Sequence, residues 1–273
     1  MTDAARPDAR SGGDRRLAIG YVTSSPRNLD YRIGKLQRFG LPTGAWLDCG
    51  CGDGSYASAL LDAGAQSVLG IDSEQGRISR ARERHADRPG LSFEVAGAEA
   101  LPVADASLDG VLLNEVLEHL PDELRSLAEI RRVLRPGGHL VVMSPNRLFP
   151  FEGHGMRLGP LRTGTAVPLL PWLPLFISDR MTVARNYWPW ELRNMIAGQG
   201  FDIVATESVF PVLQTHPWLP GPLDRWYWRN LRRIERAPIL SRFGVSTFVL
   251  ARKSTSRDQR LLHQTEMAGK EPA

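Results

Sequence analysis

Several residue types and patterns are scarce in this chain of 273 residues, and each scarcity excludes a class of protein. Its two cysteines, Cys49 and Cys51, are too few for the disulfide framework of a small secreted domain. A lone C-x-C pair is not a zinc site either. No apolar run reaches the length of about 18 residues that a membrane-spanning helix needs. The first residues are polar and charged, unlike a signal peptide, so we expect a reducing, cytoplasmic location.

Lysine is also scarce, since only three of the 34 basic residues are lysine. The net charge of +4 and the isoelectric point near 9.4 amount to a mild basic bias. Such a bias does not by itself indicate a nucleic-acid-binding surface, so we predict no nucleic-acid partner. The apolar content of 42% is enough for a sizeable core, and the length fits one large domain or one domain with insertions.

A glycine-rich stretch follows a short apolar run that ends in an acid. Gly50, Gly52 and Gly54 stand at every second position after Asp48, and a helix-compatible run begins at Tyr56. This is the pattern of a strand, a tight turn and a helix start. Glycine keeps such a backbone open to a ligand and tolerates positive φ, and the first N–H groups of the helix then face the loop. We therefore predict a nucleotide-like ligand at the carboxyl edge of a parallel sheet.

The spacing of the glycines argues against a dinucleotide. A nicotinamide-binding loop reads G-x-G-x-x-G, whereas here Ser55 stands at the place of the third glycine. Asp48 would repel a pyrophosphate but suits a cationic ligand. A second apolar run ends in Asp72, and a carboxylate there can accept both hydroxyls of a ribose. A nicotinamide-dependent oxidoreductase is therefore the less favoured alternative.

The run Leu-Asp-x-Gly-Cys-Gly-x-Gly closely resembles the first motif of the class I S-adenosylmethionine-dependent methyltransferases. The resemblance extends through the Leu-Arg-Pro-Gly-Gly run that begins at Leu134 and covers roughly residues 40–146. Within the family, the chain is similar to the type 11 domain of the ubiquinone-biosynthesis enzymes. The resemblance implies S-adenosyl-L-methionine as cofactor, bound by Asp48, Gly50, Cys51, Gly52, Asp72, Ala98, Glu99 and Asn114.

One position departs from the family pattern. Gly97 stands where the family usually has an aspartate that binds the adenine amino group. We therefore expect adenine recognition to fall on backbone groups of Ala98 or on Glu99.

Strand and helix patterns alternate along the chain, which predicts an α/β fold with helices on both faces of a parallel sheet. The resemblance implies a Rossmann-like, mostly parallel sheet of seven strands. Two insertions rich in proline and tryptophan would form a cap over the acceptor. The expected boundaries are disordered residues 1–16, a domain at 17–252 with cap insertions at about 147–186 and 210–241, and a disordered tail at 253–273.

Two groups of polar residues are candidates for the chemistry. Glu115, Glu118 and His119 follow the fourth predicted strand, and on a helix such positions share a face. The resemblance to the ubiquinone-biosynthesis enzymes implies that they hold a divalent cation such as Mg²⁺; the alternatives are His119 as a general base without metal, or a structural role. Glu152 and His154, in a loop after the fifth strand, are candidates for the base or for acceptor binding, and an ordinary surface loop is the alternative.

The cap sequence bears on the acceptor. Residues 166–177 are apolar but broken by prolines, which suits a lid over a hydrophobic molecule. Residues 225–236 mix arginine with tryptophan, which suits peripheral contact with an anionic membrane surface or a small second core with a solvated arginine face. The sequence predicts O-methylation of a hydrophobic small molecule, lipid or glycolipid. A non-catalytic cofactor-binding protein or partner subunit on the same fold is the alternative, and the oligomeric state is open.

Overall fold

The computed structural model describes residues 26–152, 156–158, 161–163, 167–182, 184–210 and 221–255. Seven strands of this chain form one sheet, and four short strands form two small pairs beside it. In chain order the strands are β1 (Gly44–Cys49), β2 (Ala65–Asp72), β3 (Leu91–Val95), β4 (Leu108–Asn114), β5 (Leu134–Pro145), β6 (Phe151–Glu152), β7 (Met156–Leu158), β8 (Leu161–Thr163), β9 (Val167–Pro168), β10 (Phe201–Val209) and β11 (Ser246–Lys253).

The large sheet has the strand order β10-β11-β5-β4-β1-β2-β3. All neighbours from β5 to β3 pair in parallel, whereas β11 is antiparallel to both β5 and β10. The order turns back on itself at β1 and β4, which places the carboxyl ends of these two strands side by side. Ligands bind at such a switch point in open α/β sheets. The predicted sheet of seven mostly parallel strands is confirmed.

The helices lie on both faces of the sheet, as the alternating sequence pattern predicted. Leu127 of the fourth helix and Ile196 of the sixth pack on one face, while Leu36 of the first and Ile78 of the third pack on the other. The helices are α1 (Pro26–Gln37), α2 (Ser55–Asp62), α3 (Gln75–Arg84), α4 (Glu123–Val133), α5 (Leu175–Met181), α6 (Pro189–Gly198) and α7 (Gly221–Arg236).

The middle of the sheet shows why particular residues stand there. Trp46 in β1 is 1% exposed although its side chain is the largest in the core. It fits because its neighbour in β4 is Gly110, where a Cβ atom would lie 2.3 Å from the indole ring. The indole N–H of Trp46 donates to the carbonyl of Thr43 at 2.8 Å, so its polar atom is also satisfied.

The predicted cap segments surround the carboxyl end of β5 and the edge strand β10. From the first segment, β6 pairs with β9, β7 pairs with β8, and a 3₁₀ turn at Leu170–Trp172 precedes α5. From the second, Tyr227 and Leu231 of α7 form a small apolar cluster with Phe210, and Tyr31 of α1 packs against this cluster. No helix of the described residues is long and apolar enough to cross a bilayer. The predicted N-terminal disordered stretch and residues 256–273 lie outside the described residues.

Candidate functional site

The loop between β1 and α2 has the open backbone that its glycines predict. Gly50, Gly52 and Gly54 have φ angles of 77°, 56° and 80°. A Cβ atom on Gly50 would lie 2.4 Å from Val116, and one on Gly54 would lie 2.6 Å from Phe93. At Gly52 a Cβ atom would meet nothing within 4 Å. Packing therefore requires glycine at the first and third positions, while Gly52 faces open space that a ligand can occupy.

A cavity of about 320 Å³ lies over this loop at the switch point of the sheet. It is bounded by the ends of β1 and β4, by the start of α2, and by two arginines of α3. Five of the eight predicted cofactor residues line it, namely Asp48, Gly50, Cys51, Gly52 and Asn114. Tyr56, Arg77, Arg80 and Glu115 also line it.

Asp72 lies at the end of β2 and is 6% exposed. Its Oδ2 accepts a hydrogen bond from the backbone N–H of Gly52 at 3.1 Å, and its Oδ1 accepts one from the N–H of Glu74 at 2.9 Å. The guanidinium of Arg77 lies 3.6 Å from Oδ2. The carboxylate thus ties the glycine loop to the neighbouring strand, beside the cavity where a ribose would lie.

Asp48 is the least satisfied acid of the cavity. It is 2% exposed, and its Oδ2 has no hydrogen-bond partner among the described residues. Burial raises the pKa of this carboxyl from 3.8 to about 7, against a hydrogen bond from the backbone N–H of Ala57 that lowers it. A buried carboxylate with one oxygen unpaired is costly, so its position on the cavity wall suits a ligand that brings positive charge. This fits a sulfonium- and ammonium-bearing cofactor.

The two residues predicted to read adenine do not line the cavity. Ala98 is 4% exposed and belongs to the apolar core on the α4 side of the sheet. Glu99 is half-buried, and its Oε1 has no partner among the described residues. A Cβ atom on Gly97 would lie 3.0 Å from the Oε2 of Glu99, so the glycine leaves room for this carboxylate. Adenine recognition through Ala98 or Glu99 stays a prediction.

A buried arginine at the far end of the cavity was not found from the sequence. Arg32 of α1 is 1% exposed, and its Nη1 donates to Asn114 Oδ1 at 2.5 Å and to Glu115 Oε1 at 2.8 Å. Its Nη2 donates to Ser246 Oγ at 3.3 Å, and the hydroxyl of Ser246 in turn donates to Glu115 Oε1. The one sequence signal was the place of Arg32 on the same helix face as Leu36, since a charge on an apolar face needs a partner.

Glu118 lies behind this group and is 3% exposed. Its Oε2 accepts a hydrogen bond from the hydroxyl of Ser144 at 2.9 Å. Burial, with the nearby Glu115 carboxylate as the second cause, raises the pKa of Glu118 well above its usual range. Such a group resists the loss of its proton and is a poor ligand for a cation in this form.

The metal-binding arrangement predicted for Glu115, Glu118 and His119 is not assembled. The segment forms a 3₁₀ turn at Leu117–His119 instead of an α-helix, and Glu115 precedes it with a left-handed φ of 57°. The three residues therefore do not lie on one α-helix, on which the prediction of a common face rested. Glu118 is buried while His119 is exposed. The described part of the chain contains no group of three or more His, Cys, Asp or Glu residues that could hold a metal ion.

The second predicted polar group is only partly visible. Glu152, in β6, is 0% exposed, and its Oε2 accepts a hydrogen bond from Asn186 Nδ2 at 2.5 Å. This bond joins β6 to the segment that leads into α6, which is a structural connection inside the cap. His154 lies outside the described residues. Neither the base nor the acceptor-binding role of these two residues is tested by the geometry.

Comparison with known proteins agrees with this arrangement. A family model described as a methyltransferase domain matches residues 47–142, which run from β1 to β5. A probable S-adenosylmethionine-dependent methyltransferase of Mycolicibacterium smegmatis is 36% identical over 117 residues, which are 43% of this chain and 44% of that protein. An uncharacterised methyltransferase of Mycolicibacterium gilvum is 32% identical over 212 residues, which are 77% of this chain and 76% of the other.

Solved structures share the fold. The crystal structure of an S-adenosylmethionine-dependent methyltransferase from Mesorhizobium loti superposes with a TM-score of 0.56 at 22% identity, over 82% of this chain and 99% of the other. Among the curated relatives, the chain spans less than half the length of the first two that it matches and about three quarters of the mycobacterial ones.

Proposed function

This chain belongs to the class I S-adenosylmethionine-dependent methyltransferases, and on that basis we propose that it transfers a methyl group to an oxygen of a hydrophobic acceptor. When bound, the cofactor supplies an activated methyl group, so the protein has to hold both partners in line and take up the acceptor's proton. The apolar character of the cap favours a hydrophobic acceptor. Four large side chains of the cap segment are exposed, namely Leu169, Trp172, Leu173 and Phe176.

The observation that carries the cofactor part of the proposal is Asp48, a buried carboxyl with an unpartnered oxygen on the wall of the cavity. We assign it to the positively charged methionine portion of the cofactor. Gly52 gives that portion room, and Asp72 accepts the hydroxyls of the ribose. In this proposal Asp48 lies against the positive charge of the cofactor and Asp72 lies against its ribose.

We assign the role of general base to Glu115, in preference to His119. Glu115 lines the cavity, and its Oε1 is held by Arg32 and Ser246. Its carboxylate is the group on the cavity wall that would accept the proton of the acceptor hydroxyl. His119 is exposed on the 3₁₀ turn, so it serves as the comparison residue in the test. His154 stays an alternative base, and a divalent cation stays an alternative that the assay has to address.

The first test is a calorimetric titration with S-adenosylhomocysteine, the demethylated form of the cofactor. We expect saturable binding, at least tenfold weaker in Asp72→Ala, because about 1.4 kcal/mol of lost hydrogen bonding corresponds to a factor of ten. NADH is the control ligand and should not bind. Binding of NADH in place of S-adenosylhomocysteine would reject the assignment of the cofactor.

The second test measures methyl transfer to hydrophobic hydroxyl compounds. Glu115→Gln should lower kcat by about 10²-fold or more while leaving S-adenosylhomocysteine affinity within a few-fold of the wild type, since general bases contribute at this scale. His119→Ala should retain most of the activity, and EDTA should not change the rate. If His119→Ala abolishes turnover, or if Mg²⁺ restores activity after chelation, the base assignment is wrong. Cofactor binding without transfer to any acceptor would favour a partner subunit.

A further inference from the structure

A second and larger cavity lies between α1 and α7. Its volume is about 1740 Å³, and the edge strand β10 and the 3₁₀ turn Leu240–Arg242 complete its walls. It does not share a lining residue with the cofactor cavity. We refer to this space as the α1–α7 groove.

The α1–α7 groove is strongly basic. Eight basic residues line it against three acidic ones. Two of the acids are already engaged, because Glu207 pairs with Lys35 at 3.2 Å and Glu235 pairs with the same lysine at 2.9 Å. Arg38 also contacts Glu207. These two acids therefore neutralise Lys35 and Arg38, and they form no ion pair with the arginines of α7.

The arginines of α7 form one positive strip along the groove. Arg225, Arg229, Arg232 and Arg236 stand at helical positions i, i+4, i+7 and i+11, so they share a face. All four are exposed, and no carboxylate of the described residues forms an ion pair with them. Like charges on neighbouring turns repel one another, so this strip gains from a bound anion. A guanidinium group offers the paired donors that fit a phosphate or a carboxylate.

The groove also has apolar and aromatic residues in its lining. Trp190 is 53% exposed and Ile239 is 72% exposed, and both line the groove together with Trp228 and Phe243. Exposed apolar residues beside a charged strip indicate a ligand with both characters. The fitting ligand is an amphiphile with an anionic group and an apolar body.

The groove lies next to the cofactor cavity. On α1, Arg32 faces Glu115 in the cofactor cavity, while Lys35 lines the groove. On β11, Ser246 donates to Glu115, and the next residue, Thr247, lines the groove. One helix and one strand end therefore separate the two spaces.

We propose that the α1–α7 groove binds the anionic group of an amphiphile through the arginines of α7, as a ligand site distinct from the cofactor cavity. This proposal does not rest on the proposed function. An anchored anionic group would leave the apolar body free to run along Trp190 and Phe243 towards the cap.

Titration with dodecyl phosphate, below the concentration at which it forms micelles, tests the proposal. We expect one bound molecule per chain, with affinity that falls as salt is raised. The variant Arg229→Gln/Arg232→Gln should bind about a hundredfold more weakly, because each of the two lost charged hydrogen bonds is worth about a factor of ten. The matched control is Arg125→Gln/Arg193→Gln, which removes the same charge from exposed positions on α4 and α6 and should bind like the wild type.

Three further ligands distinguish binding of an anionic amphiphile from binding of its apolar chain alone, of its charge alone and of a membrane surface. Dodecyl maltoside has the same chain without charge and should bind at least tenfold more weakly. Inorganic phosphate has the charge without the chain and should also bind weakly; equal binding of either ligand would overturn the amphiphile proposal. The third ligand is a vesicle that contains phosphatidylglycerol. If the protein binds these vesicles but not monomeric dodecyl phosphate, the proposal of a groove site is wrong and α7 contacts a membrane surface instead. Titration with S-adenosylhomocysteine is independent of all these results, so failure of the groove and failure of the cofactor site are distinguishable.

Discussion

Arginine is used in opposite ways in two regions of this molecule. At the cofactor cavity Arg32 is 1% exposed and donates to Asn114, Glu115 and Ser246. Along α7 the arginines are exposed and have no ion pair with a described carboxylate. A buried charge is bound up with its partners, and removal of one partner leaves the others desolvated and unpaired. An exposed charge contributes little to folding and stays available to a ligand. Substitutions in the two regions should therefore separate stability from binding.

The largest effect is expected for Arg32→Leu. This change removes the cation that pairs with the buried Glu115 carboxylate and a donor to Asn114, so the free energy of unfolding should fall by about 3–5 kcal/mol. Urea denaturation followed by circular dichroism measures it. Arg38→Leu is the matched control, one residue beyond the end of α1, where a half-exposed pair with Glu207 should cost under about 1 kcal/mol. Equal losses for the two variants would contradict the contrast between buried and exposed arginine.

A pH-dependent effect is expected for Asp48→Asn. Burial raises the folded-state pKa of Asp48 from 3.8 to about 7, so the folded state binds the proton more tightly than the unfolded state. The folded protein therefore loses stability through this group as the pH rises from about 4 to about 7, by up to about 4 kcal/mol. The asparagine variant should match the wild type near pH 4 and exceed its unfolding free energy at pH 8. A constant difference across this range would show that Asp48 does not titrate in this way.

The same variant should bind S-adenosylhomocysteine more weakly. Asp48 would then lower the free energy of unfolding and at the same time strengthen cofactor binding. Calorimetry at pH 8 measures this loss. An asparagine variant that is more stable and also binds as tightly would remove Asp48 from the cofactor site.

A smaller effect is expected at the glycine loop, where two alanine variants make a matched pair. Both glycines have positive φ, which costs an alanine about 1 kcal/mol. Gly50→Ala should lose more than this, because its Cβ atom would also collide with Val116. Gly52→Ala should lose only the backbone term but should weaken S-adenosylhomocysteine binding, since its methyl group enters the cavity. Thermal denaturation and calorimetry together distinguish the two, and a reversed ranking in stability would contradict the geometry.

The smallest effect is expected for the stability of Arg229→Gln/Arg232→Gln. These side chains are exposed and have no described ion pair, so the free energy of unfolding should change by less than about 0.5 kcal/mol. Urea denaturation checks this value against Arg125→Gln/Arg193→Gln. A loss of several kcal/mol would mean that the α7 arginines stabilise the fold, as Arg32 does, and would contradict the contrast between the two regions.

The parts of the site that the sequence predicts are those that local geometry controls. The sequence identifies Gly50, Gly52 and Gly54 because a loop with φ near 60–80° needs glycine, regardless of which distant residues pack against it. The sequence also identifies Asp48 and Asp72, because each lies at or next to the end of an apolar strand. The mixture of arginine and tryptophan at 225–236 similarly predicted the amphipathic character of α7, which extends from Gly221 to Arg236.

The parts that could not be predicted depend on contacts between distant residues or on an unusual backbone. Arg32 and Glu115 are 83 positions apart, and no local pattern pairs one arginine among many with one acid. The shared helix face of Glu115, Glu118 and His119 was wrong because Glu115 adopts a left-handed φ, which a periodicity argument does not detect. Such conformations of bulky residues persist where the surroundings enforce them, here through Arg32 and Ser246.

Arg32 and Ser246 together form a clamp on the Glu115 carboxylate. This clamp limits what a match to the methyltransferase-domain model says about a relative. The two residues that hold the Glu115 carboxylate, Arg32 and Ser246, both lie outside residues 47–142, the stretch that matches the methyltransferase-domain model. A relative can therefore keep the whole matched stretch, with its glycine loop and both aspartates, and yet lack the clamp. In this chain the glycine loop and both aspartates lie inside the matched stretch, whereas the clamp on Glu115 comes from the flanking helix α1 and the last strand β11.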